Sequence, residues 1–140
     1  MTDKNEFDND YCQALIFAGA EVLAFKTFGS YQGDWIAKIK LNGEILWIHD
    51  YYGSCSGCDA FQSEVDIEWH QHEDGKTVWG IDGFKEDCEA CQKMKTQYAD
   101  FGKKYFEDTV SYEKLLENVG KNIEWDYEAQ EMVDWVKNNK

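Results

Sequence analysis

The residues best suited to carry chemistry in this chain are two Cys-x-x-Cys pairs, Cys55 with Cys58 and Cys88 with Cys91. Zinc is commonly held by four soft donors in a tetrahedron, and two such pairs supply four thiolates. The glycine before Cys58 allows a turn tight enough for the first two sulfurs to face one point. The spacing therefore predicts one Zn²⁺ ion bound by Cys55, Cys58, Cys88 and Cys91.

Other ligand sets stay open because the two pairs are 29 residues apart, whereas paired motifs are usually separated by about 15–20 residues. One of the histidines, His49, His70 or His72, can replace a cysteine, and unmetallated thiols are the remaining alternative. His70 and His72 stand two residues apart in a Trp-His-Gln-His run, which fits a metal-binding pair in a strand, but we expect both to be solvated at the end of an element. The fifth cysteine, Cys12, is expected to be a small buried apolar residue.

A zinc ion held by four thiolates stabilises a fold and leaves no position for a catalytic water. The alternative is a small metal- or thiol-dependent enzyme with a site near Asp34, His49 and the cysteine cluster. A thioredoxin-like redox pair is disfavoured, because that motif belongs near a βαβ pattern and the chain contains no proline. The chain also lacks a phosphate loop, a nucleophile elbow and a zinc deaminase signature.

The elements that must position the cysteines begin with a β-hairpin. Asn42-Gly43 separates two β-rich runs, 34–41 and 44–50, and Asn-Gly is the strongest short hairpin signal. The implied register places Leu41 opposite Glu44, Ile39 opposite Leu46 and Ala37 opposite Ile48. We expect this face, continued by Trp35, to be the core face, and the opposite face to be partly solvated. A three-stranded meander over residues 21–51 follows.

Helices are predicted mainly after the sheet. Apolar spacing predicts a short helix capped by Asp10, a long one over 84–107, one from Thr109 or Ser111 to Gly120, and a last one over 127–137. Residues 59–69 fit a helix capped by Asp59 or a strand. The fold class is therefore α+β: a small antiparallel three-stranded meander followed by several helices, with a zinc-knuckle and treble-clef-like four-cysteine site. We expect one domain over 1–140, with residues 1–9 frayed.

The charge of the chain restricts its partners. Its 140 residues include 28 acidic and 14 basic side chains, and every basic residue is a lysine, which gives a net charge of −14. A nucleic-acid binder needs a basic surface to neutralise phosphates, so direct nucleic-acid binding is excluded. Binding to an anionic membrane is disfavoured for the same reason. The acidic N-terminal residues and the short apolar runs predict a cytoplasmic protein.

Carboxylates are concentrated in two segments, with a net charge of −8 over residues 59–91 and −6 over 107–131. Rows of carboxylates confer solubility, and they can also occupy a basic groove of a protein partner, such as a nucleic-acid enzyme. Four tryptophans in or near these segments can add aromatic anchors where they are exposed: Trp69, Trp79, Trp125 and Trp135. The candidate partner-binding residues are Asp66, Glu68, Glu73, Asp74, Glu113, Glu117, Glu124 and Glu128.

Two motifs, Gly-Ser-Tyr-Gln-Gly-Asp-Trp over 29–35 and Tyr-Gly-Ser-Cys-Ser-Gly-Cys-Asp over 52–59, resemble a recurring pattern in small uncharacterised proteins of phages and bacteria. The resemblance covers about residues 29–61. It implies only a phage-like context, and that context favours a phage-type inhibitor of a host nucleic-acid or defence enzyme, acting in the host cytoplasm. It also implies a small pocket lined by Tyr31, Asp34 and Trp35, unless the glycines only set turns and Trp35 belongs to the core.

Overall fold

The computed structural model describes residues 9–29, 33–53, 59–65, 67–81, 84–121 and 127–140. Helices and strands follow one another in an α+β order. They are α1 (Asp10–Phe17), β1 (Glu21–Gly29), β2 (Gly33–Leu41), β3 (Glu44–Tyr52), α2 (Ala60–Glu64), β4 (Trp69–Gln71), β5 (Thr77–Trp79), α3 (Glu89–Lys103), a 3₁₀ turn (Lys104–Glu107), α4 (Tyr112–Val119) and α5 (Tyr127–Asn138).

The predicted meander is confirmed, since β1, β2 and β3 form an antiparallel sheet in that order. Leu41 lies opposite Glu44, Ile39 opposite Leu46 and Ala37 opposite Ile48, as the Asn-Gly turn requires. Asn42 and Gly43 have φ values of 54° and 84°, the left-handed conformations of a type I′ turn. The turn sequence therefore sets the register of the central hairpin.

Both faces of β2 are buried. One face carries Trp35, whose ring centroid lies 5.1 Å from that of Tyr11 and 5.1 Å from that of Tyr105; this cluster also includes Phe101 of α3. The opposite face carries Ile36 and Trp47, which pack with Leu115 and Val136 of the last two helices. The expectation of a partly solvated second face is confirmed, because Lys40 and Ile45 are exposed on it while α4 and α5 cover Ile36 and Trp47.

The helices match the predicted segments with two shifts. The side chain of Asn9, rather than Asp10, accepts a hydrogen bond from the first turn of α1. The long helix begins at Glu89 and not at Phe84, because Cys88 is its N-cap. Among the residues that the structure describes, none of the helices has both the length and the apolar character needed to cross a membrane.

The segment 69–79 folds into a second antiparallel hairpin, which the sequence analysis did not predict. The strands β4 and β5 are three residues each, and Gly75 adopts a φ of 89° in the turn. Of the two alternatives for residues 59–69, the helix is observed at its start, with Asp59 as the N-cap of α2. The short hairpin and the start of α3 together position the site described below.

Gly102 is required where α3 crosses α1. A Cβ at this position would overlap the carbonyl group of Ala14, and both residues are buried. We predict that Gly102→Ala lowers the free energy of unfolding by about 1–3 kcal/mol, the usual cost of overpacking. Urea denaturation measures it. Thr96→Ala, on the exposed side of the same helix, serves as the control and should stay within about 0.5 kcal/mol; equal effects of the two variants would contradict the close crossing.

Candidate metal centre

Two histidines of the site are positioned by the β4–β5 hairpin. Side chains alternate along a strand, so His70 and His72 share one face while Trp69 and Gln71 take the other. Trp69 and Trp79 are cross-strand partners with ring centroids 5.1 Å apart, and they are exposed. Within residues 69–79, all of which are described, His72 is the only buried side chain. The inward face of this hairpin is therefore built from the two imidazoles and a half-buried Val78.

Two cysteines of the site are positioned by the start of α3. Cys88 is the N-cap residue, and its Sγ accepts a hydrogen bond from the backbone N–H of Cys91 at 3.4 Å. Residues three apart lie on the same side of a helix, so both sulfurs face the hairpin. Cys91 is fully buried and Cys88 is half-buried.

The four side chains converge on one point. The Nε2 atoms of His70 and His72 are 3.1 Å apart, and the Sγ of Cys91 lies 3.2 Å from His72 Nε2 and 3.4 Å from His70 Nε2. With Cys88 included, all four ligand atoms lie within 4.8 Å of one another. A tetrahedral ion with metal–nitrogen bonds of about 2.0–2.1 Å and metal–sulfur bonds of about 2.3 Å separates its ligand atoms by about 3.3–3.8 Å. This cluster of His70, His72, Cys88 and Cys91 could hold a metal ion.

The electrostatics of the two sulfurs also bear on metal binding. Burial raises the pKa of the Cys91 thiol, and the neighbouring Cys88 sulfur raises it further, while a hydrogen bond from the Lys85 backbone acts in the opposite direction. A bound divalent cation overcomes the raised pKa, because it deprotonates a coordinating thiol outright. The N-terminal end of α3 favours thiolate as well.

A cleft of about 360 Å³ lies beside the cluster and reaches Cys88 and His72. The rest of its wall is formed by the charged residues Glu73, Lys85, Asp87 and Glu89 together with Gln71 and Ala90. Cys88 and His70 are half-buried, whereas Cys91 and His72 are buried.

The structure brings together half of the predicted metal ligands. Cys88 and Cys91 belong to the cluster, while Cys55 and Cys58 lie outside the described residues. The expectation that both histidines are solvated is wrong: His72 is 6% exposed and His70 is half-buried. The alternation of His70 with exposed Trp69 and Gln71 was the signal for this hairpin face. Cys12 is fully buried, as predicted.

Asp34 and Trp35 point to opposite faces of β2, so the structure does not bring them together in one pocket. Trp35 is 0% exposed in the core, whereas the Oδ2 of Asp34 lies 2.6 Å from His49 Nε2. Tyr31 lies outside the described residues. Asp34 and His49 are on the sheet face covered by α4 and α5, while α3, which carries Cys91, packs through Phe101 against the other face. The sheet therefore separates this pair from Cys88 and Cys91.

The predicted partner-binding carboxylates are at the surface wherever they are described. Glu68, Glu73, Asp74, Glu113 and Glu117 are exposed, and Glu128 is half-exposed. Three of them have lysine partners at 3.4–3.6 Å, with Lys93 beside Glu68, Lys85 beside Asp74 and Lys114 beside Glu117. Asp66 and Glu124 lie outside the described residues. Of the four candidate aromatic anchors, Trp69 and Trp79 are exposed, Trp135 packs in the second cluster and Trp125 is not described.

Comparison with protein-family models, with curated proteins and with solved structures finds no match to this chain.

We predict that the purified chain binds about one metal ion with its four clustered ligands, as a tetrahedral site requires. His72→Ala and Cys91→Ser should each bring the metal content close to zero, because each removes an enclosed ligand. Elemental analysis after dialysis gives the stoichiometry.

The matched controls for this prediction are His49→Ala and Cys12→Ala. They remove a histidine or a cysteine outside the cluster and should leave the metal content unchanged. A Cys55→Ser and Cys58→Ser double variant separates the two ligand sets. Loss of metal in that variant, with metal retained in His72→Ala, would contradict the cluster.

Proposed function

We propose that this chain is a zinc-stabilised acidic binding protein that acts through protein–protein interaction. The observation that carries the proposal is the convergence of four ligand atoms from a short hairpin and a helix start that share little apolar surface. Two imidazole nitrogens with two thiolates form the donor set of many structural zinc sites. All four positions are filled by the chain, so this zinc supports the fold and contributes no reactive water.

The zinc ion would fix the β4–β5 hairpin on α3. A two-stranded hairpin is at best marginally stable by itself in water, and an ion bound only by the folded state adds its binding free energy to folding. The exposed Trp69 and Trp79 are thereby presented on a fixed scaffold. Tryptophan is enriched among the residues that dominate binding energy at interfaces, which supports a binding role for this end of the molecule.

The acidic surface would supply the electrostatic part of the interaction. Glu113 and Glu117 are exposed on α4, Glu128 lies near the start of α5, and Glu73 is exposed beside the metal cluster. A field of this sign speeds association with a basic partner at low salt. We propose as the partner a nucleic-acid or defence enzyme with a basic groove, which the chain inhibits as a phage-type nucleic-acid mimic.

The acidic surface is tested by a fourfold Glu-to-Gln variant at positions 113, 117, 124 and 128. Purified nucleic-acid enzymes with basic grooves are assayed for displacement of a short DNA duplex by the chain. We predict that the variant competes about tenfold more weakly and that its affinity falls less steeply with salt, because fewer charges are matched across the interface.

The control carries the same change of charge elsewhere, at Glu21, Glu44, Glu64 and Glu107, and should compete like the unmodified chain. Equal competition by both variants would assign the carboxylates to solubility alone. If no enzyme in the panel is displaced from DNA at low salt, the mimic proposal fails.

The alternative function, a small metal- or thiol-dependent enzyme, is favoured by one observation, the cleft that reaches Cys88. The two functions differ in thiol reactivity, because a zinc-bound thiolate in a closed site is shielded. Trypsin releases Cys88 and Cys91 together in the peptide 86–93, so mass spectrometry can follow them separately from Cys55 and Cys58. We predict that iodoacetamide leaves this peptide unmodified in the native chain and alkylates it after chelation; rapid alkylation of the native chain would favour the enzyme.

A further inference from the structure

A second pocket, of about 310 Å³, lies between the start of α1, the end of β3 and the β4–β5 hairpin. This volume is at the lower end of the range for small-ligand sites, about 300–1,000 Å³. Aromatic side chains and carboxylates line most of its wall: Tyr11, Tyr52, Phe61, Trp79, Asp10 and Asp59. No lysine or histidine is among the described residues that line it.

The central polar group of this pocket is the carboxylate of Asp59, which is 5% exposed. Its Oδ1 accepts hydrogen bonds from the Tyr11 O–H at 2.6 Å and the Gly53 N–H at 2.8 Å, and its Oδ2 accepts one from the Gln62 N–H at 3.0 Å. A carboxylate offers about four acceptor directions, so these donors occupy three of them. Among the contacts that the described residues make, Oδ2 therefore accepts only one hydrogen bond.

These three donors are uncharged groups, so they hydrogen-bond to Asp59 without supplying a positive charge beside it. None of the ion pairs formed among the described residues includes Asp59 or Asp50. Both carboxylates act on Tyr11, whose pKa is raised first by burial and then by Asp59. A buried charge is costly unless it is paired, so this end of the sheet carries negative potential without a described countercharge.

The aromatic wall of the pocket also favours a cationic ligand, as the negative potential does. Trp79 is 42% exposed and lines the pocket, while Tyr52 is held in place by donating its O–H to the Phe28 carbonyl at 2.9 Å. Tryptophan is the aromatic residue that attracts a cation most strongly over its face. An aromatic surface beside an unpaired carboxylate recognises an organic cation by cation–π attraction and a charge-assisted hydrogen bond.

We propose that this pocket binds the cationic side chain of a basic segment in a protein partner, with Asp59 accepting its N–H and Trp79 packing on it. This inference rests on the proposed binding function. It adds that the partner presents a lysine or arginine side chain to this pocket. The neighbouring Trp69 lies outside the pocket wall and is available to residues that flank the cation.

The pocket is tested with three capped tripeptides, Gly-Arg-Gly, Gly-Lys-Gly and Gly-citrulline-Gly, the last having the shape of arginine without its charge. Binding to the full chain is followed by NMR of the tryptophan indole N–H groups. We expect the arginine and lysine peptides to bind and to shift the Trp79 signal, and the citrulline peptide to bind at least about tenfold more weakly.

Trp79→Leu and Asp59→Asn should each weaken arginine-peptide binding by about fivefold or more, because each removes one of the two attractions. Trp69→Leu breaks the same tryptophan pair but leaves the pocket wall, and should change binding less than twofold. Equal binding of the citrulline peptide, or equal effects of Trp79→Leu and Trp69→Leu, would overturn the proposal.

Zinc content, measured on the same samples, separates the two proposals. If Trp79→Leu and Asp59→Asn keep the metal but no longer bind the arginine peptide, the result supports the pocket and is consistent with the zinc site. A chain that binds no metal but still takes the arginine peptide would leave the pocket standing and overturn the zinc-stabilised module.

Discussion

The attachment of the β4–β5 hairpin to the start of α3 is the constraint on which both candidate sites depend. The hairpin has three residues in each strand, its tryptophans face solvent, and His72 is its only buried side chain. Apolar burial cannot account for its position, since a half-buried Val78 is its main inward-facing apolar group. The four converging nitrogen and sulfur atoms provide an alternative, because metal–ligand bonds can replace a hydrophobic core in a small element. The pocket proposed for a cation depends on the same attachment, since Trp79 belongs to the β4–β5 hairpin.

The rest of the chain is stabilised by ordinary packing on both sides of one sheet. Strand β2 contributes Trp35 to the cluster under α1 and α3 and Ile36 to the cluster under α4 and α5. Two adjacent residues thus serve two cores, which explains why a sheet of three strands supports a chain rich in large aromatic side chains. The cluster of His70, His72, Cys88 and Cys91 belongs to neither of these two cores.

Local signals predicted the sheet well, because Asn42-Gly43 fixes a turn type and the turn type fixes the register. They also placed Cys88 and Cys91 near a helix start, where spacing alone brings two sulfurs together. The hairpin at 69–79 was missed because strands of three residues carry too few alternations to stand out from a turn-rich segment. Solvation of His72 was the wrong expectation for a related reason. Its burial depends on contact with Cys91, 19 residues away, which no local pattern reveals. Burial of Ile36 and Trp47 likewise depends on helices at the far end of the chain.

X-ray absorption at the zinc edge of the purified, zinc-loaded chain distinguishes the two ligand sets. We expect coordination by His70, His72, Cys88 and Cys91, with two nitrogen ligands at about 2.0–2.1 Å, two sulfur ligands at about 2.3 Å and the imidazole scattering that two histidines produce. A shell of four sulfur atoms without nitrogen would contradict it. That result would assign the ion to Cys55, Cys58, Cys88 and Cys91 and leave the hairpin without its anchor.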